Sequence, residues 1–190
     1  MQEINLYLAT TLKQLRQTKG WSLDRAASET GVSKAMLGQI ERGESSPTIA
    51  TMWKISKGFH KSLSSLLEPS ADNNSQTVIR PPNKQSKVLD SNNSPIAPIF
   101  PYEEQFGFEM FELTLLPGYE RISEPHIDGV TEHVIVISGE MELLINGEWI
   151  KLTQGSSVRF AGDTLHGYRN SSASPAVFHN ILHYAHDVSE

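Results

Sequence analysis

The 190-residue sequence contains no cysteine. That excludes a disulfide framework and any thiolate-held metal, so a metal in this chain must sit on imidazole and carboxylate groups. Long apolar runs are missing too. The longest aliphatic stretch, Val134 to Ile137, is four residues, against the ~20 that a membrane-spanning helix needs. Met1-Gln2-Glu3 lacks the basic-then-apolar pattern of a secretory signal, so the cytoplasm is the expected compartment. Nor is there a basic excess: 16 Lys and Arg stand against 22 Asp and Glu, a formal net charge of −6.

That average hides a split. Residues 1–70 hold nine basic and six acidic side chains, a net +3, whereas residues 71–190 hold seven and sixteen, a net −9. Six of the seven histidines lie from His126 onward. Such asymmetry points to two modules with different partners, and the length allows two small domains with real cores.

The first module reads as helical. In residues 4–17, Ile4, Leu8, Leu12 and Leu15 recur at helical spacing, and Gly20 is a natural stop. Ser22 caps a short helix with Leu23, Ala26 and Ala27 on its apolar face, and Gly31 suits a left-handed turn residue. Val32 plugs the turn. Ser33 caps the next helix, KAMLGQIER, which is expected to bury Met36 or Leu37 with Ile40 and to end at Gly43. A fourth helix from Thr48 presents Ile49, Met52, Trp53, Ile55 and Phe59. A fifth, SLSSLLE, stops before Pro69.

Two short helices joined by a glycine turn make a helix-turn-helix pattern. The run WSLDRAASETGVSKAMLGQIERGESSPTIATMWKIS resembles the DNA-binding domain shared by phage repressors and many bacterial regulators. The signature residues are Leu23, Ala27, Gly31, Val32, Ser33, Ile40, Glu41 and Gly43. In that geometry the second helix enters the major groove with its N-terminal residues against base edges. Lys34, Ala35, Met36 and Gln39 are the expected base readers. Ser22, Ser33, Arg42, Ser45, Ser46 and Thr48, at helix starts or in the tight loop, are expected at phosphates, with a solvated surface position or a plain cap as the alternative for each and capping as the primary job of Ser22 and Ser33. A +3 head binds weakly alone, so a homodimer on half-sites about 34–36 Å apart is expected on double-stranded operator DNA.

Residues 69–95 carry four prolines and repeated Asn and Ser, which mark a linker. Thr77–Arg80 and Ser86–Leu89 are candidate short strands within it, one of which a partner could swap. The grammar then changes to short apolar runs: FGFEMFELTLL, EHVIVISG, EMELLING, EWIKLTQG, SSVRFAG and AVFHNILHY. Asn146-Gly147 is a hairpin signal, because both turn positions tolerate positive φ. Strands at about ten-residue spacing suggest a sandwich or barrel.

His126-Ile127-Asp128, then Gly129-Val130-Thr131, then Glu132 and, after six intervening residues, Gly139 stand at the spacing of a first cupin motif. Asp128 occupies the place of that motif's second histidine. Gly155, His166 and Asn170 keep the register of the second motif, with Ala161 and Asp163 in place of its Pro and Gly. Residues 100–185 therefore resemble a cupin barrel. The resemblance implies a divalent transition metal (zinc, iron, manganese or nickel) on His126, Glu132 and His166, with His133 and Asp128 as reserve ligands. An empty polar pocket is the alternative. For an organic ligand, Arg159, Tyr168, His179 and His183 are the candidate contacts. Arg121 is a further arginine that could grip a carboxylate, with a surface charge as the alternative for both arginines.

The expected architecture is an all-α five-helix lambda-repressor-like domain over residues 1–68, a linker over 69–95 and an all-β cupin (double-stranded β-helix, jelly-roll) domain over 96–190. Together the modules resemble bacterial helix-turn-helix regulators with a C-terminal cupin sensor, of the sulfur-utilisation type. That resemblance implies a non-enzymatic, dimeric transcription factor responding to a small metabolite, with a methionine- or cysteine-like amino acid as one candidate. A metal-dependent cupin enzyme tethered to a DNA-binding head and a purely structural dimerising cupin are the alternatives.

Overall fold

The computed structural model describes residues 2–68, 88–89 and 94–184, with side chains over 6–68 and 94–184. The chain divides into two compact units, residues 1–79 and 80–190. Among the described residues no helix is long and apolar enough to cross a membrane.

The first unit consists of α1 (Gln2–Thr18), α2 (Leu23–Thr30), α3 (Lys34–Glu41) and α4 (Ile49–Phe59). The apolar stripe of α1 buries Leu8 and Leu12, and Leu15 is half-buried. Gly31 closes α2 at φ 66°, donating to Ala27 O, and Val32 fills the turn at 5% exposure. On α3 the inward residue is Leu37, fully buried beside Ile40, while Met36 is 39% exposed. Helix α4 buries Ile49, Met52, Ile55 and Phe59. It crosses α2 at backbone contact, since a Cβ on Gly58 would lie 2.6 Å from Glu29 O and 2.7 Å from the Thr30 Cα.

The expected fifth helix is a single 3-10 turn, Ser64–Leu66. Leu63, Leu66 and Leu67 are all buried, and Ser65 Oγ donates to Ser62 O at 2.7 Å. Serine-to-backbone bonding competes with the α-helical ladder, and the close run of apolar residues suits a tight turn pressed into the core. Among its described residues the head thus has four α-helices and one 3-10 turn.

Among the described residues the second unit holds ten strands: β1 (Val88–Leu89), β2 (Pro95–Glu103), β3 (Phe108–Leu115), β4 (Glu120–Ser123), β5 (Thr131–Ser138), β6 (Glu140–Ile145), β7 (Glu148–Thr153), β8 (Ser157–Ala161), β9 (His166–Arg169) and β10 (Ala176–His183). They form a six-stranded sheet, β1-β2-β3-β10-β5-β8, and a four-stranded sheet, β4-β9-β6-β7. Alternating side chains such as Leu115, Val134, Val136, Leu143 and Phe178 form the core of this unit. Asn146 and Gly147 take φ of 52° and 81° in the β6–β7 hairpin, as an Asn-Gly turn should.

Strands β2, β4 and β9 are absent from the sequence-based set. Strand β2 carries Pro95, Pro98 and Pro101, yet it pairs with β3 because the register shifts on both sides of Phe100. Those irregularities accommodate residues without an N–H. Within the expected linker, Val88 and Leu89 pair antiparallel with Ile96 and Pro95. The candidate strand Thr77–Arg80 lies outside the described residues.

Candidate functional site

In the helical unit, α2, the Gly31 turn and α3 present one polar surface. Ser22 Oγ accepts from Arg25 N at 3.1 Å and Ser33 Oγ from Met36 N at 3.2 Å, while Thr48 Oγ1 accepts from Thr51 N at 3.2 Å. All three are caps whose O–H groups can still donate outward. Lys34, Ala35, Met36 and Gln39 are exposed, as are Arg42 and Ser46, and Ser45 is half-buried. Lys34 Nζ lies 2.8 Å from Asp24 Oδ2, and Arg42 Nη2 lies 2.7 Å from Glu44 Oε2. These exposed pairs cost little to open, so a phosphate can take either cation. The Arg42 guanidinium holds the Glu44 carboxyl below its ordinary range.

A clamp behind this surface escapes sequence reasoning. Arg16 Nε meets Glu41 Oε1 at 2.6 Å, its Nη2 meets Oε2 at 2.7 Å, and its Nη1 donates to Trp21 O at 3.0 Å. The signature residue Glu41 thus ties the end of α3 to α1 through a bidentate pair largely shielded from water.

In the barrel, His126, Glu132 and His166 are buried, and one donor atom from each lies within 4.8 Å of the others. His126 comes from the loop before β5, Glu132 from β5 and His166 from β9. The motif loops are stapled together. His126 N donates to Gly162 O at 3.0 Å, Gly162 N to Val130 O at 2.8 Å, and Gly129 N to Asp163 Oδ2 at 2.8 Å. Asp163, a departure from the motif, therefore has a job of its own. Gly162 is needed for closeness, since a Cβ there would come within 3.0 Å of Glu132 Oε1.

The two oxygens of Glu132 differ. Oε2 accepts from Tyr168 Oη at 2.5 Å and from Asn180 Nδ2 at 2.7 Å. Oε1 faces His126 Nε2 at 2.8 Å and His166 Nε2 at 3.2 Å. Neither Oε1 nor His166 Nε2 has a hydrogen-bond partner. His166 Nδ1 lies 2.8 Å from Thr164 O, which can only accept, so Nδ1 carries the hydrogen and Nε2 is a bare lone pair. Burial lowers the His166 pKa, which keeps that ring neutral. For Glu132, burial pushes the carboxyl up, but the adjoining His126, His166 and the Tyr168 hydroxyl bring it down to about 2. An ionised oxygen thus opposes an imidazole lone pair in a buried site, an arrangement a cation between them relieves. The residues fit a divalent metal on a 2-His-1-carboxylate set.

The other expected site residues fall elsewhere. Strand β10 alternates with Phe178, Asn180 and Leu182 inward, so His179 and His183 point away from the core. His179 pairs in register with Ile135 and Glu112 on that outer face. Phe160 is opposite Glu132 and faces inward, which turns Arg159, opposite His133, outward. His133 and exposed Asp128 are outside the cluster as well. Tyr168 is inside it. The structure adds Asn180, whose only sequence signal was a polar residue at one parity of an apolar strand.

A helix-turn-helix family model matches residues 12–66 and a cupin-domain model matches residues 111–182. The chain belongs to the family of helix-turn-helix transcriptional regulators that carry a C-terminal cupin domain. It is 46% identical over 184 residues to the HTH-type transcriptional regulator SutR of Escherichia coli K12, covering 97% of this chain and 98% of that protein. The HTH-type transcriptional regulator PuuR of the same strain is 29% identical over 169 residues, covering 85% of this chain and 86% of PuuR. A crystal structure of a helix-turn-helix-family transcriptional regulator from Vibrio cholerae matches with a TM-score of 0.80 at 42% identity, covering 97% of this chain and 98% of that one. The present chain is accordingly a DNA-binding transcriptional regulator and not an enzyme.

Proposed function

We propose that this regulator senses a small metabolite at a divalent transition metal held by His126, Glu132 and His166. The carrying observation is the buried Glu132 Oε1 set opposite His166 Nε2 with no hydrogen-bond partner for either atom. Three protein ligands leave coordination positions open for an effector. The metal would supply Lewis acidity and a fixed anchor. The protein residues orient its ligands, since Tyr168 and Asn180 hold the carboxylate and Thr164 O sets the His166 tautomer.

On the DNA side, Lys34, Ala35, Met36 and Gln39 read base edges, and Ser22, Ser33, Arg42, Ser45, Ser46 and Thr48 hold phosphates. Two heads act together in a homodimer on cytoplasmic operator DNA. The half-exposed outer face of the six-stranded sheet, with Ile135, Ile137, Val177 and Ile181, supports a second copy docking there. The effector regulates by binding one arrangement of the paired heads better than another, a coupling of about 5–150-fold in operator affinity. Resemblance to the sulfur-utilisation type makes a methionine- or cysteine-like amino acid the first effector to try.

The test is operator binding by full-length protein with and without each amino acid, for wild type and His166→Ala. Wild-type affinity is expected to shift with the effector and the variant's to stay constant. An equal response in both would overturn the metal-sensing reading.

A further inference from the structure

The regulatory reading leaves the half-buried Arg121 without a task. Arg121 lies on β4, an edge strand whose burial alternates, with Glu120 and Ile122 exposed, Arg121 half-buried and Ser123 buried. Its antiparallel register pairs Arg121 with Tyr168 and Ser123 with His166. Directly paired residues on antiparallel strands project to the same face, with Cβ atoms about 5 Å apart. Tyr168 and His166 project into the barrel toward Glu132. Arg121 therefore shares the inner face of the four-stranded sheet with the His–Glu–His cluster. Its positive charge acts on both His166 and Tyr168. The opposite parity is accounted for as well, since Ile122 pairs with Gly167 and is 48% exposed.

What sets Arg121 apart is its lack of an acid. The other arginines of comparable burial, Arg16 and Arg169, each sit in a bidentate pair with a glutamate. The Arg121 side chain makes no hydrogen bond or ion pair with any described residue. A guanidinium turned into a barrel without a counter-ion is costly unless a ligand supplies the anion. Its planar fork matches a carboxylate. With a divalent ion on the cluster, one carboxylate against an ion and a guanidinium leaves the pocket positively charged inside an otherwise acidic unit.

We propose that Arg121 is the anion-binding residue of the effector pocket, and that the effector is a small molecule bearing a carboxylate that Arg121 grips while another of its groups reaches the metal. This inference rests on the metal-sensing reading for the second contact and on the β4–β9 register for the first.

The test uses full-length protein loaded with Co(II), whose visible spectrum reports a change of coordination, and matched probes: L-methionine with L-methioninamide, and acetate with acetamide. Wild type is expected to bind the carboxylates at least tenfold more tightly than the amides. Arg121→Gln should lose that preference by about tenfold or more, and Arg121→Lys should keep part of it. Arg121→Gln removes a nearby positive charge and should hold Co(II) at least as tightly as wild type, which separates the two roles. Equal carboxylate affinity in wild type and Arg121→Gln overturns the inference and leaves the metal centre standing, as does failure of every carboxylate to bind. Failure of wild type to take up Co(II) overturns the metal reading instead, and the same comparison by thermal shift on metal-free protein then decides Arg121. Should Arg121→Gln not fold, Arg121→Lys carries the comparison.

Discussion

Tyr168 donates its hydroxyl to Glu132 Oε2 at 2.5 Å, and Asn180 donates to the same oxygen at 2.7 Å. One oxygen is thereby occupied, and the other is left to the two imidazoles. Burial raises the Tyr168 pKa well above its ordinary value, with the Glu132 charge adding to it, so the phenol stays a donor at any working pH. Removing the hydroxyl should free the carboxylate to rotate. Tyr168→Phe is expected to fold and to lose about 10–100-fold in metal affinity. Competition with a chromogenic chelator measures this.

Gly162 gives a second handle on the same carboxylate. A methyl group there would press on Glu132 Cγ and Oε1, both 3.0 Å away, and on Val130. Gly162→Ala should weaken metal binding through displaced geometry, at a stability cost of about 1–3 kcal/mol for the overpacking. Metal titration and a thermal melt on the same sample separate the two effects.

The DNA surface makes two different predictions. Gln39→Ala should relax preference at one base position, worth about 1–3 kcal/mol of discrimination. Arg42→Ala should weaken binding evenly across sequences and reduce the salt slope by about 1. Binding to a panel of operator variants at several salt concentrations checks both, and an unchanged base preference in Gln39→Ala would sink the recognition-helix assignment.

Gly58→Ala places a Cβ against the α2 backbone, where Glu29 O is 2.6 Å away and nothing flexible can give. The head should be destabilised by about 3 kcal/mol, at the upper end for overpacking. Helical signal at 222 nm should melt earlier, with operator binding lost alongside it.

Acid should expose a surface pair on the four-stranded sheet. Hydrogen bonds from Arg169 and Ser171 hold the Glu142 carboxyl at about 2, below its unfolded value. A depressed carboxyl contributes stability above the unfolded pKa and loses it as the pH falls toward the folded value. Wild type should therefore melt above Glu142→Gln at pH 5, and the gap should close between about pH 4.5 and pH 2. A gap that does not change with pH would contradict the assignment.

Much of the head could be read directly from the sequence, because its signals are local. Leu8 and Leu12 are one helical turn apart, Ser22 and Ser33 cap the helices that follow them, and Gly31 takes the positive φ that its position demands. The barrel was legible in outline through the Asn146-Gly147 turn and the spacing of His126, Glu132 and His166. Its pocket was not. Alternation along AVFHNILHY is plain, but only the register with β3 and β5 tells which parity faces inward, and that parity selects Asn180 over His179. The same holds for Arg121, which means nothing until β4, a four-residue strand with no sequence signature, is paired with β9. Strand β2 was hidden by prolines that a local periodicity rule counts as breaks.

Metabolite sensing in this regulator depends on a metal on His126, Glu132 and His166, which elemental analysis of purified full-length protein detects. Wild type should carry about one transition-metal ion per chain after loading and desalting, and His166→Ala should carry close to none. No metal in wild type, or equal metal in the folded variant, would mean that these three residues do not form a metal site.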